Sequence, residues 1–117
     1  MRRFLMAIVA ALVGAAPAHA TGGLVCRTAG ARPISLWLVV SHTVVSAIVS
    51  ARLGDNGRDI AVSLAQSWLD PNGLRLDLVD KNAMRHELRL RAKANGRFYD
   101  GSLWRNGQRR WVRCRED

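Results

Sequence analysis

The chain is short of the side chains that do chemistry. Across 117 residues it carries two cysteines, three histidines and nine acidic residues. Cys26 and Cys114 stand far apart, as do His42 and His86, so no metal-ligand cluster forms and no metal site is expected. There is no glycine-rich phosphate loop, and neither histidine has a serine or carboxylate at a meaningful spacing. The acids fall singly on turns and strands, where solubility or turn chemistry accounts for them. Nucleophilic, acid–base and metal-dependent catalysis all lack their residues, so no catalytic residue is assigned, no cofactor is expected, and the chain reads as a non-enzyme.

Polar groups are missing in two stretches. Nothing polar lies between Phe4 and Gly14, a run preceded by Arg2 and Arg3 and followed by Ala18-His19-Ala20. That is the pattern of a secretory signal peptide over residues 1–20, too short to span a bilayer, leaving 21–117 as a single small domain in a periplasmic or secreted location. From Pro33 to Ala51 there is no charge, but the run is rich in β-branched residues and broken by Ser41-His42-Thr43, so strands are expected and no transmembrane segment after signal cleavage. In an exported chain an even cysteine count reads as a disulfide, here Cys26 to Cys114.

What the chain does have is turns. Asn-Gly between alternating residues marks a two-residue hairpin, because both central positions need positive φ. Asn106-Gly107 pairs Leu103 with Arg110, Gly101 with Val112 and Tyr99 with Cys114, and on the opposite face Trp104 with Arg109 and Asp100 with Arg113. Asn95-Gly96 as a loop sets Tyr99, Gly101 and Leu103 against Ala92, Leu90 and Leu88, and places Asp100 between Arg91 and Arg113. Asn56-Gly57 pairs Leu53 with Ile60, Ala51 with Val62 and Val49 with Leu64. Asp70-Pro71-Asn72-Gly73 fits a type I turn with a glycine bulge, which sets Trp68 against Leu76 and Gln66 against Leu78 and turns Gln66 inward.

Eight strands result, near 23–28, 34–41, 44–54, 59–69, 74–80, 86–94, 97–105 and 108–116. The fold expected is all-β: a small antiparallel meander of about eight strands, closed or nearly closed into a β-barrel, with the first and last strands joined by the disulfide and a packed interior.

Charge is the remaining clue. Removing Arg2 and Arg3 from 18 basic residues leaves 16 against 9 acids, a net of +7, and eleven of the basic residues lie in 81–115 against Glu87 and Asp100. A basic half points to an anionic partner. The outward phase of the last three strands interleaves Arg89, Arg91, Arg109 and Arg113 with Trp104 and Trp111, and these six are the candidate ligand-binding residues. Outside the cytoplasm the fitting ligand is a lipid phosphate, an anionic glycan or a membrane surface, and nucleic acid is not expected. A second surface, the outward row Trp37, Val39, Val44, Ile48, Ala61 and Ala65, is apolar; Trp37 facing Ile48 there would suit a protein partner or a homodimer. A leader followed by about a hundred residues of short strands, with a cysteine near each end, resembles in architecture the periplasmic inhibitors of C-type lysozyme, which are eight-stranded barrels. That resemblance implies a protein-binding inhibitor, although the family's inhibitory Ser and Lys loops have no counterpart at matching positions.

Overall fold

The computed structural model describes residues 21–42 and 46–117. The leader, the turn expected at His42-Thr43 and Val44 fall wholly or partly outside the described residues. Nine strands follow one another: β1 (Thr21–Thr28), β2 (Ile34–His42), β3 (Ser46–Asp55), β4 (Arg58–Ile60), β5 (Ser63–Asp70), β6 (Gly73–Val79), β7 (His86–Asn95), β8 (Phe98–Arg105) and β9 (Gln108–Glu116). They form one antiparallel sheet in the order β4-β3-β2-β1-β9-β8-β7-β6-β5, curled into a half-barrel, and no helix occurs among the described residues. Because β1 pairs with β9, the first and last strands lie mid-sheet. The two sheet ends are β4 and β5, consecutive in the chain and joined by Ala61-Val62. β3 comes close to β5 without a ladder between them, so the curl is nearly shut along this seam.

The segment expected as one strand at 59–69 is therefore two. Leu53 faces Ile60 as expected, but the ladder stops there, and the pairs Ala51–Val62 and Val49–Leu64 do not form. Within β5 the phase also changes: Leu64 and Leu69 are an odd number of residues apart, so both can face the core only if one residue is inserted between them, and a bulge between Leu64 and Gln66 does so. The same device acts between Val39 and Val40: Val40 faces Ile48 and Val39 faces Ser50, which leaves Val49 unpaired and exposed.

Turn chemistry corrects two registers. Asn56, Gly57, Asn106 and Gly107 all have positive φ, at 52°, 85°, 53° and 75°, as a type I′ hairpin requires. In the β7–β8 hairpin only Gly96 does, at 62°; Asn95 stays in the ladder opposite Phe98 and the loop is Gly96-Arg97. A glycine at the first corner is the type II′ signature. The register moves by two residues, which keeps every side chain on its face but changes its partner: Ala92 meets Gly101, Leu90 meets Leu103 and Arg89 meets Trp104. At the β5–β6 turn, Asp70 pairs with Gly73 across Pro71-Asn72, and Asp70 Oδ1 accepts hydrogen bonds from the Asn72 and Gly73 amides at 2.8 and 2.9 Å. The loop is one residue shorter than a bulged turn, so the phase flips: Trp68 faces Arg75, Gln66 faces Asp77, and both point outward.

The inward phase is filled. Leu36, Leu53, Leu74, Leu76, Leu78, Leu88, Leu90, Leu103 and Val112 are fully buried, drawn from six strands. Cys26 and Cys114 face one another in the β1–β9 ladder with Cα atoms 3.9 Å apart, and they form the disulfide that joins the first and last strands. Ile48 belongs to this core at 6 % exposure and faces Val40, while Trp37 faces Arg52, so the expected Trp37–Ile48 outer pair does not exist.

Candidate functional site

The two ends of the half-barrel are built differently. At the end that carries the Asn56-Gly57 and Asn106-Gly107 turns, Arg105 follows Leu103 on the inward phase and is buried. It donates to Asp55 Oδ2 at 2.8 Å and to Glu87 Oε1 at 2.8 Å, tying β8 to β3 and β7. Glu87 is the extra residue of a bulge between Leu78–Leu88 and Val79–His86, and Arg85 holds its second oxygen at 2.9 Å. Arg110 donates from its two terminal nitrogens to the carbonyls of Arg32 and Ala29, each at 2.8 Å, pinning the β1–β2 loop over the same end. Arg105 and then Arg85 hold the Glu87 carboxyl below its usual range, against the opposing effect of burial. Burial works against the charge of Arg105, but Asp55 and Glu87 outweigh it and the guanidinium pKa is raised.

The opposite end holds a cavity of about 1150 Å³ with Leu24, Val40, Leu69 and Tyr99 at its base. Its rim carries Arg97 and Arg115 beside Asp70, Glu116 and Asp117, so neither sign of charge prevails. The Tyr99 hydroxyl donates to the Asp70 carbonyl at 3.1 Å, and burial raises its pKa.

All six candidate ligand-binding residues lie on the outer face of β7–β9, in adjoining rows read from the ladders: Arg89–Trp104–Arg109, Arg91–Ser102–Trp111 and Lys93–Asp100–Arg113. They are not equally free. Arg113 donates to both Asp100 oxygens at 2.7 and 2.9 Å and lies between Phe98, at 4.2 Å from the ring centroid, and Trp111, at 5.4 Å. Arg113 and then Asn95 hold the Asp100 carboxyl below its usual range. Arg91 does not reach Asp100, because the two-residue register move takes it elsewhere. It donates to both oxygens of Asp77 at 3.1 and 3.3 Å and to the carbonyls of Leu76 and Leu90. Arg89 reaches the same carboxylate through Nε at 3.2 Å. Burial pushes the Asp77 carboxyl up, but Arg91 and Arg89 outweigh it and its pKa is lowered. Arg109 uses its Nε on the Ser102 hydroxyl at 3.0 Å, with its guanidinium 6.0 Å from the Trp104 ring centroid.

Beside Trp104 the surface sinks into an open hollow of about 510 Å³ lined by His86, Arg89, Arg91 and Trp104. The arginines that line it are both bonded to Asp77, and His86 Nε2 stands 3.8 Å from Asp77 Oδ1. Neither Asp77 nor His86 was among the residues read from the sequence as binding. Finding them requires the β6–β7 register, and the connection there is a longer loop held by the Asp80 carboxylate on the Met84 and Arg85 amides at 2.7 and 3.1 Å, with no two-residue turn to set the pairing. Among the described residues no group of three potential metal ligands occurs. Comparison with family models, with curated proteins and with solved structures finds no match.

Proposed function

We propose that the chain is an exported, non-enzymatic binding module of the cell envelope that holds an anionic ligand on the outer face of β7–β9. The observation that carries this reading is the charge of that face and its flanks. One outward cation on β6, three on β7, three on β9 and one on β1 make eight, against the outward acids Asp77 and Asp100, an excess of six. Both acids are already engaged by arginines at hydrogen-bond distance, so the excess is left for a partner. Half-exposed Trp111 and partly covered Trp104 add flat apolar area within the cationic field, the combination that favours ligands bearing both charge and rings. A buried disulfide fits an oxidising compartment, which supports export. The apolar outer row lends no comparable support to a protein partner, since Ile48 is inside and Trp37 lies under Arg52 at 4.9 Å.

The test is binding of the oxidised protein, purified from cells exporting the full chain, to lipopolysaccharide, peptidoglycan and an unrelated polyanion, followed by tryptophan fluorescence across a salt series. Saturable binding to one envelope ligand that outlasts moderate salt is expected. Equal binding to every polyanion, lost together as salt rises, would mean that the charge is only a solvated surface.

A further inference from the structure

We infer that the hollow formed by His86, Arg89, Arg91 and Trp104 is a binding site for a phosphorylated sugar, the phosphate held by Arg89 and the sugar ring laid against Trp104. This deepens the proposal that the outer face binds an anion and rests on it. The hollow, at about 510 Å³, falls inside the roughly 300–1,000 Å³ range of small-ligand sites. Its construction is asymmetric in a way a merely solvated surface does not need. Arg91 spends both terminal nitrogens on Asp77 and two carbonyls, so it serves as a fixed post. Arg89 is held by Nε alone, and among the described residues its two terminal nitrogens make no hydrogen bond, while its side chain is 51 % exposed. An arginine anchored at its Nε and open at its end presents a fork of fixed direction, matched to two oxygens of a phosphate or carboxylate.

The choice of phosphate over carboxylate follows from the number of cations that converge. Asp77 beneath them neutralises one charge, leaving Arg89 or Arg91 in excess, and His86 stands half-exposed at the margin, its Nε2 3.8 Å from Asp77 and beyond hydrogen-bond reach, so a ring N–H is left for a ligand. A carboxylate has two oxygens and is satisfied by one fork; a phosphate monoester has a third oxygen for the imidazole. The choice of a sugar follows from Trp104. Arg109 stands by the indole from the β9 side, 6.0 Å from its centroid, and the indole lines the hollow on the β7 side. An indole at the edge of a hollow rimmed by cations offers a stacking face to a ring that itself carries hydroxyls.

The experiment titrates the oxidised protein with glucose 6-phosphate, inorganic phosphate and glucose by calorimetry, and with vesicles containing a phosphorylated disaccharide lipid or phosphatidylglycerol. Glucose 6-phosphate is expected to bind, inorganic phosphate more weakly and glucose not at all. Arg89→Gln and Trp104→Leu should each weaken binding by about tenfold or more, the equivalent of one charge-assisted hydrogen bond or one stacking face. Arg89→Gln leaves Asp77 its two hydrogen bonds from Arg91, so the fold is retained, and a thermal melt of each variant checks this. Preference for the disaccharide vesicles, abolished by the same two changes, assigns the source as a lipid headgroup; binding of the soluble ester without vesicle binding assigns a soluble one. Equal affinity for inorganic phosphate and the sugar phosphate, variants that bind like the parent, or tighter binding of a single-stranded oligonucleotide would each overturn the site. If the two variants are silent while salt-resistant binding to an envelope ligand persists, the hollow is wrong and the outer-face reading stands. If the parent protein binds no anion, both fall.

Discussion

Replacing Arg105 by methionine keeps an unbranched apolar stem and removes the charged head that joins β8 to β3 and β7. Arg105 has 8 % of its side chain exposed, and its partners Glu87 and Asp55 have 10 % and 28 % exposed. Removing one member of a buried ion pair costs about 3–5 kcal/mol, mostly because the other charge is left without a partner. Asp55 can regain water and Glu87 keeps Arg85 at 2.9 Å, so the lower figure of about 3 kcal/mol applies. For a domain of this size that is a fall in Tm of about 12 °C or more. The pH dependence gives the sharper check. The folded Glu87 pKa is depressed from its ordinary 4.5, so its contribution is present above that value and is lost as pH falls through the folded pKa. The gap between parent and Arg105→Met should therefore be full at neutral pH and narrow below about pH 4.5. Adding Glu87→Gln removes the stranded carboxylate and should recover about 1–2 kcal/mol, measured by chemical denaturation as a double-mutant cycle. A gap under about 0.5 kcal/mol, or one of constant size from neutral pH down through the carboxylate range, would refute the view that this triad shuts the end of the half-barrel.

Two further outcomes concern the sheet itself. Cys26→Ala with Cys114→Ala opens a loop of 88 residues' separation, for which chain entropy gives a loss of up to about 4.6 kcal/mol; reduction of the parent protein should lower its denaturation midpoint to match. Gly101→Ala should be among the most damaging single changes, about 2 kcal/mol or more, because the added methyl would run into the Arg91 carbonyl and lie 2.6 Å from the Ala92 Cα, both backbone atoms of β7 that have nowhere to go; a Tm within a degree or two of the parent would contradict this.

How far the residues alone carried the fold differs from hairpin to hairpin. Where Asn-Gly occupies both corners, at Asn56-Gly57 and Asn106-Gly107, φ preference selects the turn and every β8–β9 pair reads correctly, Trp104 opposite Arg109 included. Where a second glycine-bearing turn competes, at Asn95-Gly96-Arg97, the two alternatives differ by two residues and bury the same face, so hydrophobic pattern cannot separate them. That is why the alternation alone sends Arg91 to Asp100, whereas in the sheet it bonds Asp77. The phase error at Gln66 and Trp68 has the same character, since a two-residue and a three-residue loop both satisfy Asp70-Pro71-Asn72-Gly73. Bulges were invisible for a simpler reason. Val49, Ala65 and Glu87 are ordinary residues, and only the odd spacing of their flanking apolar partners signals an insertion.

Local pattern is enough to show that the chain is all-β, that its first and last strands meet at Cys26 and Cys114, and that cations gather with tryptophans on the outside of the final three strands. These follow from local rules: turn φ, the two-residue alternation of strands, and the pairing of an even cysteine count. The tertiary structure alone decided which cations are free. Arg113 is locked between two rings and a carboxylate, Arg91 is consumed by Asp77 and backbone carbonyls, Arg105 closes one end, and Arg89 keeps an open fork beside Trp104. Those partners sit on strands far apart in the chain or across unreadable loops, and a carboxylate chooses among several arginines by geometry that only the assembled sheet supplies.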